Sequence, residues 1–455
     1  MSDRAVLTQS TIEQAVPKVH FLTFGCQMNA LDSELALGRF LESGFGRAGT
    51  VEEAEVVVLN TCSVREHAEE RVFSRLGELR EEKERRPDLV VAVSGCLPQR
   101  VGDGVFRRSP VVDIVVGTRE FPRLPDLVRE VRAGRGRTTA LAVEPDVEFP
   151  RNVTAHPGGP HAYVAVMRGC DLHCAFCIVP TVRGPVASRE PEAIREEVRR
   201  LVERGVREVT LLGQTVNAYG YDLGRGPEAP RLSGLLRELS RIDGLARIRL
   251  VTNHAAYLTD DLVEAIATLP KMAKYVPVPM QSGSDRVLRA MRRGYTVDLY
   301  KKRIERLRAA VPDVELSSDW IVGFPGETEE EFETSARAVE EIGFLQNFVF
   351  QYSPRPGTAA AEVDDDVPRE VKRERNNRLL AVAAKVAAAR HARRVGAVEE
   401  VLVEGPSAKR PGRMAGRTDR NLLVLFEGPA ALAGSTARVR ILASTTGYLV
   451  GTLAA

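Results

Sequence analysis

Cys170, Cys174 and Cys177 stand in the run GCDLHCAFC at 169–177, three thiols within eight residues of a chain that has six in 455. Thiolates at this spacing, on a tight loop after a strand-like run and Gly169, suit an iron-sulfur cluster, whose irons are held by cysteine sulfur. Only three such ligands are close together, which leaves one iron open to a substrate or cofactor. Two plainer readings stand beside this one: a structural zinc site completed by His173, and three incidental cysteines. Zinc sites usually present paired ligands at each end rather than a triplet, and chance clustering of so few cysteines is improbable.

Cys26, Cys62 and Cys96 have no short spacing in common. What they share is position: FGCQMN, LNTCSVR and SGCLPQ each follow a strand-like apolar run. The carboxyl ends of parallel strands line one edge of a sheet, where ligands bind, so the three can converge as a second thiolate set. The alternative is that each is a small buried hydrophobe.

The elements that must position these residues are legible from their periods. VHFLTF (19–24), EVVVLN (55–60), LVVAVSG (89–95) and DIVVG (113–117) alternate with helical stretches, the pattern of a buried parallel sheet covered by helices. Residues 133–160, rich in Gly, Pro and Arg, read as a linker. Six strand-then-helix units follow, with strands expected at Tyr163–Met167, Glu208–Leu212, Arg247–Val251, Tyr275–Met280, Glu315–Val322 and Phe348–Tyr352. They suggest a complete or partial parallel barrel, although an open doubly wound sheet gives much the same pattern. After Pro368 a charged, Ala-rich helix leads to short strand-like runs with Gly-rich turns, a small all-β barrel. Three units result, at 17–135, 156–386 and 389–452.

Composition narrows the function classes. The cysteines are too sparse for a disulfide framework, and in a reducing compartment thiols are kept for metal or redox chemistry. No apolar run approaches the roughly 20 residues of a membrane-spanning helix, and MSDRAVLTQSTIEQAV lacks the apolar core of a signal peptide. A cytoplasmic protein without membrane contact is expected. Formal net charge is +2, but residues 369–455 carry +9 and the rest −7. Within that basic unit Lys409, Arg410, Arg413, Arg417 and Arg420 fall in twelve residues, a loop able to neutralise nucleic-acid phosphates. A merely solvated basic loop is the alternative.

With both triplets in view, the chain resembles the radical S-adenosylmethionine methylthiotransferases from Val19 to about Leu449. GCDLHCAFC matches the radical-SAM cluster motif, FGCQMNALDSE (24–34) and NTCSVRE (60–66) the N-terminal methylthiotransferase domain, and GRTDRN (416–421) the C-terminal RNA-binding TRAM domain. MQSGSDRVL (280–288), SSDWIVGFPGET (317–328) and SPRPGT (353–358) match later stretches of the barrel. The resemblance implies an α/β fold: an N-terminal parallel-sheet α/β domain, a central partial (βα) radical-SAM barrel and a C-terminal small β-barrel (TRAM).

It also implies two 4Fe-4S clusters. The one on Cys170, Cys174 and Cys177 would bind S-adenosylmethionine through its open iron and reduce it to a 5′-deoxyadenosyl radical that takes hydrogen from an adenine carbon. The auxiliary one on Cys26, Cys62 and Cys96 would hold or supply the sulfur, which a second S-adenosylmethionine methylates. The product would carry a methylthio group at C2 of the prenylated adenosine beside the anticodon of tRNA. The implied partners are a tRNA anticodon stem-loop and an electron donor such as flavodoxin or ferredoxin, with the enzyme a monomer.

Cofactor contacts are expected at strand ends of the barrel: Phe176 near the adenine, then Gly213, Gln214, Asn217, Gln281, Ser282, Ser318 and Asp319. Each has a plain alternative as a core, cap or turn residue. Thr328 with Glu331 reads as a capping box. The chain departs from the family pattern at Pro185-Val186-Ala187, at Thr252-Asn253-His254-Ala255 and at Trp320. Two rival functions stand: a sister methylthiotransferase acting on threonylcarbamoyl-adenosine in tRNA or on a ribosomal-protein aspartate, and a non-catalytic iron-sulfur RNA-binding sensor. FGCQMN and NTCSVRE favour the prenylated-adenosine branch.

Overall fold

The β-branched runs of the first segment form buried strands. The computed structural model describes residues 16–63, 66–142, 155–226 and 228–454, the side chains of 66–68 excepted. In it β1 (Lys18–Phe24), β2 (Gly46–Arg47), β3 (Val56–Thr61), β4 (Val90–Gly95), β5 (Ile114–Val116) and β6 (Thr138–Ala140) make one sheet, in the order β2-β1-β3-β4-β5-β6. All neighbours are parallel. Helices cover both faces, so β3 and β4 are buried at every residue. Val56, Val58, Val90 and Ala92 pack with the helix Gln27–Glu42 on one side. On the other, Val57, Leu59, Val91 and Val93 meet Val72, Leu76 and Leu79 of the helix Glu66–Arg85.

β6 lies in the stretch read as a linker. An edge strand pairs through its backbone alone and needs no apolar alternation, so composition could not reveal it. The expectation for residues 1–16 falls outside the described residues except for Val16, and residues 143–154 of the linker also fall outside them.

In the second segment β7 (His161–Ala165) is followed by a short hairpin, β8 (Met167–Arg168) with β9 (Ala187–Ser188). Then come β10 (Glu208–Leu212), β11 (Arg247–Leu250), β12 (Tyr275–Pro277), β13 (Glu315–Val322) and β14 (Gln346–Gln351). Parallel pairing joins β7-β10-β11 and β12-β13-β14, and a bridge between Ile248 and Met272 carries the sheet across. Neighbours follow chain order without reversal, which is the winding of a barrel; a doubly wound sheet reverses at its switch point. Among the described residues no pairing joins β14 to β7, so the barrel is partial.

Val164, Val209, Leu211, Ile248 and Leu250 face the outer helices. The alternate residues, Tyr163, Ala165, Leu212 and Val251, point the other way and join the cluster that packs with Gln27–Glu42. The first unit therefore covers the inner face of the second. Trp320 is accommodated as core: it is fully buried, its Nε1 donates to Asn347 Oδ1 at 2.8 Å, and its ring meets Phe344 edge-on.

The capping box is present at the helix Glu329–Ile342, where Thr328 Oγ1 accepts from Glu331 N and Glu331 accepts from Thr328 N. Arg286 beside Glu331 holds its carboxyl down at about 2, against the opposing effect of partial burial. Thr328→Ala is expected to cost about 1 kcal/mol. Because the Glu331 pKa is depressed on folding, its contribution is present above the ordinary range near ~4.3 and is lost as pH falls toward 2. In denaturant melts across that window Glu331→Gln should flatten the acid loss of stability.

The helix Arg369–Ala392 leads to β15 (Val398–Pro406), β16 (Met414–Thr418), β17 (Leu423–Glu427), β18 (Thr436–Ser444) and β19 (Leu449–Leu453), closed in the order β15-β16-β17-β19-β18. This small barrel docks at the amino ends of the central strands, opposite the cysteines. Tyr275 and Leu345 enter its core. Arg247 and Arg249, each bound to Glu208 at 3.0 and 2.7 Å, donate to the carbonyls of Arg417, Thr418 and Asp419.

Candidate iron-sulfur active site

β1, β3 and β4 are adjacent, with Phe24 in register with Thr61 and Thr61 with Gly95. The next residues or next but one are Cys26, Cys62 and Cys96, so pairing alone brings the three together. Two glycines permit it. A Cβ on Gly25 (φ +150°) would lie 2.7 Å from the Cys62 Cβ, and one on Gly95 (φ +105°) would lie 2.4 Å from the Thr61 carbonyl.

A buried amide pair fixes the edge: Asn29 Nδ2 donates to Asn60 Oδ1 and the Thr61 carbonyl, each at 3.2 Å, while Asn60 Nδ2 donates to the Asn29 carbonyl at 2.9 Å. Asn29 Oδ1 accepts from the Cys26 N–H at 3.3 Å and faces its Sγ at 3.4 Å. Cys26 is exposed, whereas Cys62 and Cys96 are buried. A hydrogen bond with Cys62 and, less strongly, the charge of Arg183 bring the Cys26 thiol down to about 6, against the desolvation that the crowded neighbours around its sulfur impose. Burial pushes the Cys96 thiol up, with Arg183 working the other way.

The second triplet follows the hairpin strand β8. Gly169 must be glycine, since a Cβ there would meet the Pro185 carbonyl oxygen at 1.9 Å. Donors face the sulfurs: Leu172 N lies 3.4 Å and Thr215 Oγ1 3.3 Å from Cys170 Sγ, and Arg293 Nη1 donates to Cys174 Sγ at 3.3 Å. Tyr295 and Cys174 raise the Arg293 pKa despite its burial. Burial pushes the Cys177 thiol up to about 12, and the Val179 N–H offsets part of that. Such a thiol sheds its proton when it takes a metal, so loading releases protons.

Among the described residues no three His, Cys, Asp or Glu side chains converge on a point that one ion would fill. His173, the fourth ligand of the zinc reading, is exposed. An iron-sulfur cluster, which is held by cysteine sulfur, is the group both triplets suit, and the hydrogen bonds to sulfur are those that hold thiolate charge. A cavity of about 120 Å³ adjoins the second triplet, lined by Cys170, Thr215, Tyr221 and Tyr257 among others. A larger one of about 690 Å³ lies at the amino ends of the N-terminal strands, far from any cysteine. Two of its cations are spent internally, Lys83 on Asp113 and Arg86 on the Val51, Glu52 and Ala54 carbonyls.

The other expected contacts divide. Asn217 is spent on the backbone of His254, donating to its carbonyl and accepting from its N–H, both at 2.9 Å. Ser318 accepts from Met280 N, and Ser282 from Ser284 N, so both hold turns. Gly213 makes room for Met167, whose Cγ would lie 2.5 Å from a Cβ. Phe176 is half-buried against Ala175, Met291 and Phe324. Asp319 is half-buried on β13. Two positions keep features a ligand would use: Gln281 holds a left-handed φ of +73°, and Gln214 Oε1 is buried without a hydrogen-bond partner.

Thr215, Arg293, Asn29, Asn60, Asp32 and Arg183 were missed as site residues. Only proximity in space reveals Thr215 and Arg293; Asn29, Asp32 and Asn60 stand within the quoted motifs FGCQMNALDSE and NTCSVRE, and Arg183 six residues after Cys177, so all four were within reach of the motifs.

At the other end of the molecule Lys409 and Arg410 are exposed. Arg413 pairs with Glu427 at 3.1 Å, and Arg417, which lies on β16 rather than in a loop, pairs with Glu404 at 3.2 Å. Arg420 differs from the expectation. Only 11% of its side chain is exposed, and it is bound to Asp313 of the central unit, Glu399 and Asp419, which makes it a docking residue rather than an open phosphate contact.

The Radical SAM superfamily matches residues 164–339, the uncharacterized protein family UPF0004 residues 18–117, and the TRAM domain residues 392–454. The tRNA-2-methylthio-N(6)-dimethylallyladenosine synthase of Bordetella avium (strain 197N) is 43% identical over 449 residues, 98% of this chain and 94% of that protein. The protein of the same name from Rhodopirellula baltica is 42% identical over 456 residues, 95% of each. Among solved structures, the radical S-adenosylmethionine methyltransferase TsrM from Kitasatospora setae superposes with a TM-score of 0.55 at 14% identity, over 76% of this chain and 77% of that one, a likeness of fold. The two cysteine-bearing sheet edges, the partial barrel and near full-length identity above 40% agree, and the chain belongs to the radical SAM methylthiotransferase family, in the branch of the tRNA-2-methylthio-N(6)-dimethylallyladenosine synthases.

Proposed function

We propose that this protein inserts sulfur and a methyl group at C2 of the prenylated adenosine next to the anticodon of tRNA. The observation that carries the reading is the pair of three-thiol cradles, one at the carboxyl ends of the parallel strands β1, β3 and β4 and one following β8, joined through one short segment, Val179–Arg183. Cys170, Cys174 and Cys177 would hold one 4Fe-4S cluster, and Cys26, Cys62 and Cys96 the other. When bound, the clusters and S-adenosylmethionine supply the one-electron chemistry that opens an unactivated adenine C–H bond, which side-chain acids and bases cannot do at neutral pH.

The chain's own residues bind, orient and exclude. Arg293 and Thr215 hold the thiolates of Cys174 and Cys170. Asn29 and Asn60 lock the strand ends that carry Cys26 and Cys62. The helix Gln27–Glu42, packed on the inner face of the barrel, keeps water from the floor of the site. The units near 17–135, 156–386 and 389–452 thus divide the work into sulfur supply, hydrogen abstraction and tRNA capture. An electron donor such as flavodoxin or ferredoxin serves the clusters of a cytoplasmic monomer; no helix among the described residues is long and apolar enough to cross a membrane.

Mass spectrometry of tRNA nucleosides from a deletion strain tests the substrate. Methylthio-prenyladenosine should vanish; its persistence, with loss of a different modification, would move the protein to a sister branch. The small barrel makes a separate prediction. Arg413 and Arg417 lie in exposed ion pairs of little worth to stability, so reversing both to Glu should leave the fold intact and weaken tRNA binding. The slope of log affinity against log salt should fall by about 1 for each phosphate that is no longer neutralised. Unchanged affinity at low salt would remove this face from the tRNA interface.

A further inference from the structure

The segment Val179–Arg183, which follows Cys177 directly, leaves its own unit and lies against the other cradle. Ile178 and Val182 form a buried cluster with Cys96. Thr118 Oγ1 donates to the Val182 carbonyl at 2.7 Å, and Arg119 Nη2 to that of Arg183 at 3.0 Å. Arg183 is 4% exposed, and its guanidinium donates to Asp32 Oδ2 at 2.8 Å, on the helix that Cys26 caps. Through Val182 and Asp32 it stands beside both Cys96 and the helix that Cys26 caps. One of its nitrogens, Nη1, is buried with no hydrogen-bond partner among the described residues. A buried N–H without a partner is destabilising, and a bound sulfide or thiolate is an acceptor of the kind this position lacks.

We infer that Arg183 is a positioning residue shared by the two cradles, carried on the loop of one cluster and setting the charge around the other. The inference rests on the reading that Cys26, Cys62 and Cys96 hold a cluster. Cluster potentials respond to net charge and to hydrogen bonds at sulfur. A cation beside the auxiliary cluster stabilises its reduced, more negative state, whereas Asp32 does the reverse. Because Arg183 lies six residues from Cys177, the distance between the clusters is fixed by the same segment that sets this charge.

The test is a dye-mediated redox titration of the anaerobically reconstituted full chain, followed by electron paramagnetic resonance, with iron and sulfide counted. Arg183→Met should move the auxiliary midpoint to more negative potential, and Arg183→Lys should restore part of the shift. Asp32→Asn should move it the opposite way. Should Arg183→Met lose the auxiliary cluster, Asp32→Asn decides alone. Midpoints equal to wild type in loaded variants overturn the inference. The underlying reading fails separately: a wild-type protein whose iron content and spectra match those of a variant lacking Cys26, Cys62 and Cys96 has no auxiliary cluster at all.

Discussion

Cys174→Ala is expected to abolish formation of 5′-deoxyadenosine from S-adenosylmethionine, while Cys62→Ala keeps measurable cleavage and makes no methylthiolated tRNA. The asymmetry follows from geometry. Cys174 belongs to the compact loop at the barrel's carboxyl edge, and Cys62 to the edge of a different sheet. Loss of an outer-shell partner at a metal site typically costs about 10–100-fold, so loss of a ligand itself should exceed that. The fold should survive Cys174→Ala, because Arg293 keeps Tyr295 Oη at 3.1 Å and the Pro279 carbonyl at 3.2 Å. Anaerobic single-turnover assays with chromatographic detection read both products. Full methylthiolation by either variant would contradict the roles assigned.

The second large effect is on stability. Glu208 sits at the start of β10 between Arg247 and Arg249, with all three side chains buried, and those arginines hold three carbonyls of the small barrel. Burial pushes the Glu208 carboxyl up, but Arg249 and Arg247 more than offset it and leave it below its usual range. Glu208→Ala would strand two buried cations, for which about 3–5 kcal/mol is expected. Chemical denaturation should show the C-terminal barrel undocking early. A loss under about 1 kcal/mol, the worth of an exposed pair, would mean the triad does not hold the units together.

Strand positions were largely legible because burial on both faces leaves continuous apolar runs. Glu208–Leu212 and Glu315–Val322 were read at their observed limits. β6 and β9 were not, since short or edge strands rest on backbone pairing that composition does not record, and β16 was not because its MAGRT carries Gly and Arg in place of an apolar run. The choice between barrel and doubly wound sheet also waited for pairing, because both repeat the same strand-helix unit and differ only in neighbour order.

The site shows the same division. The triplet at 170–177 is local, so residue type and spacing alone determined it. The triplet of Cys26, Cys62 and Cys96 was inferable from its place after three strands, yet that the strands are adjacent and in register is a fact of the sheet. What only tertiary structure decided is how the cradles meet: Arg183 against Asp32 and Cys96, Arg293 against Cys174, and Arg420 turned inward to Asp313. Side chains so far apart in the chain share no period that a sequence could display, and their contact exists only once the units have packed.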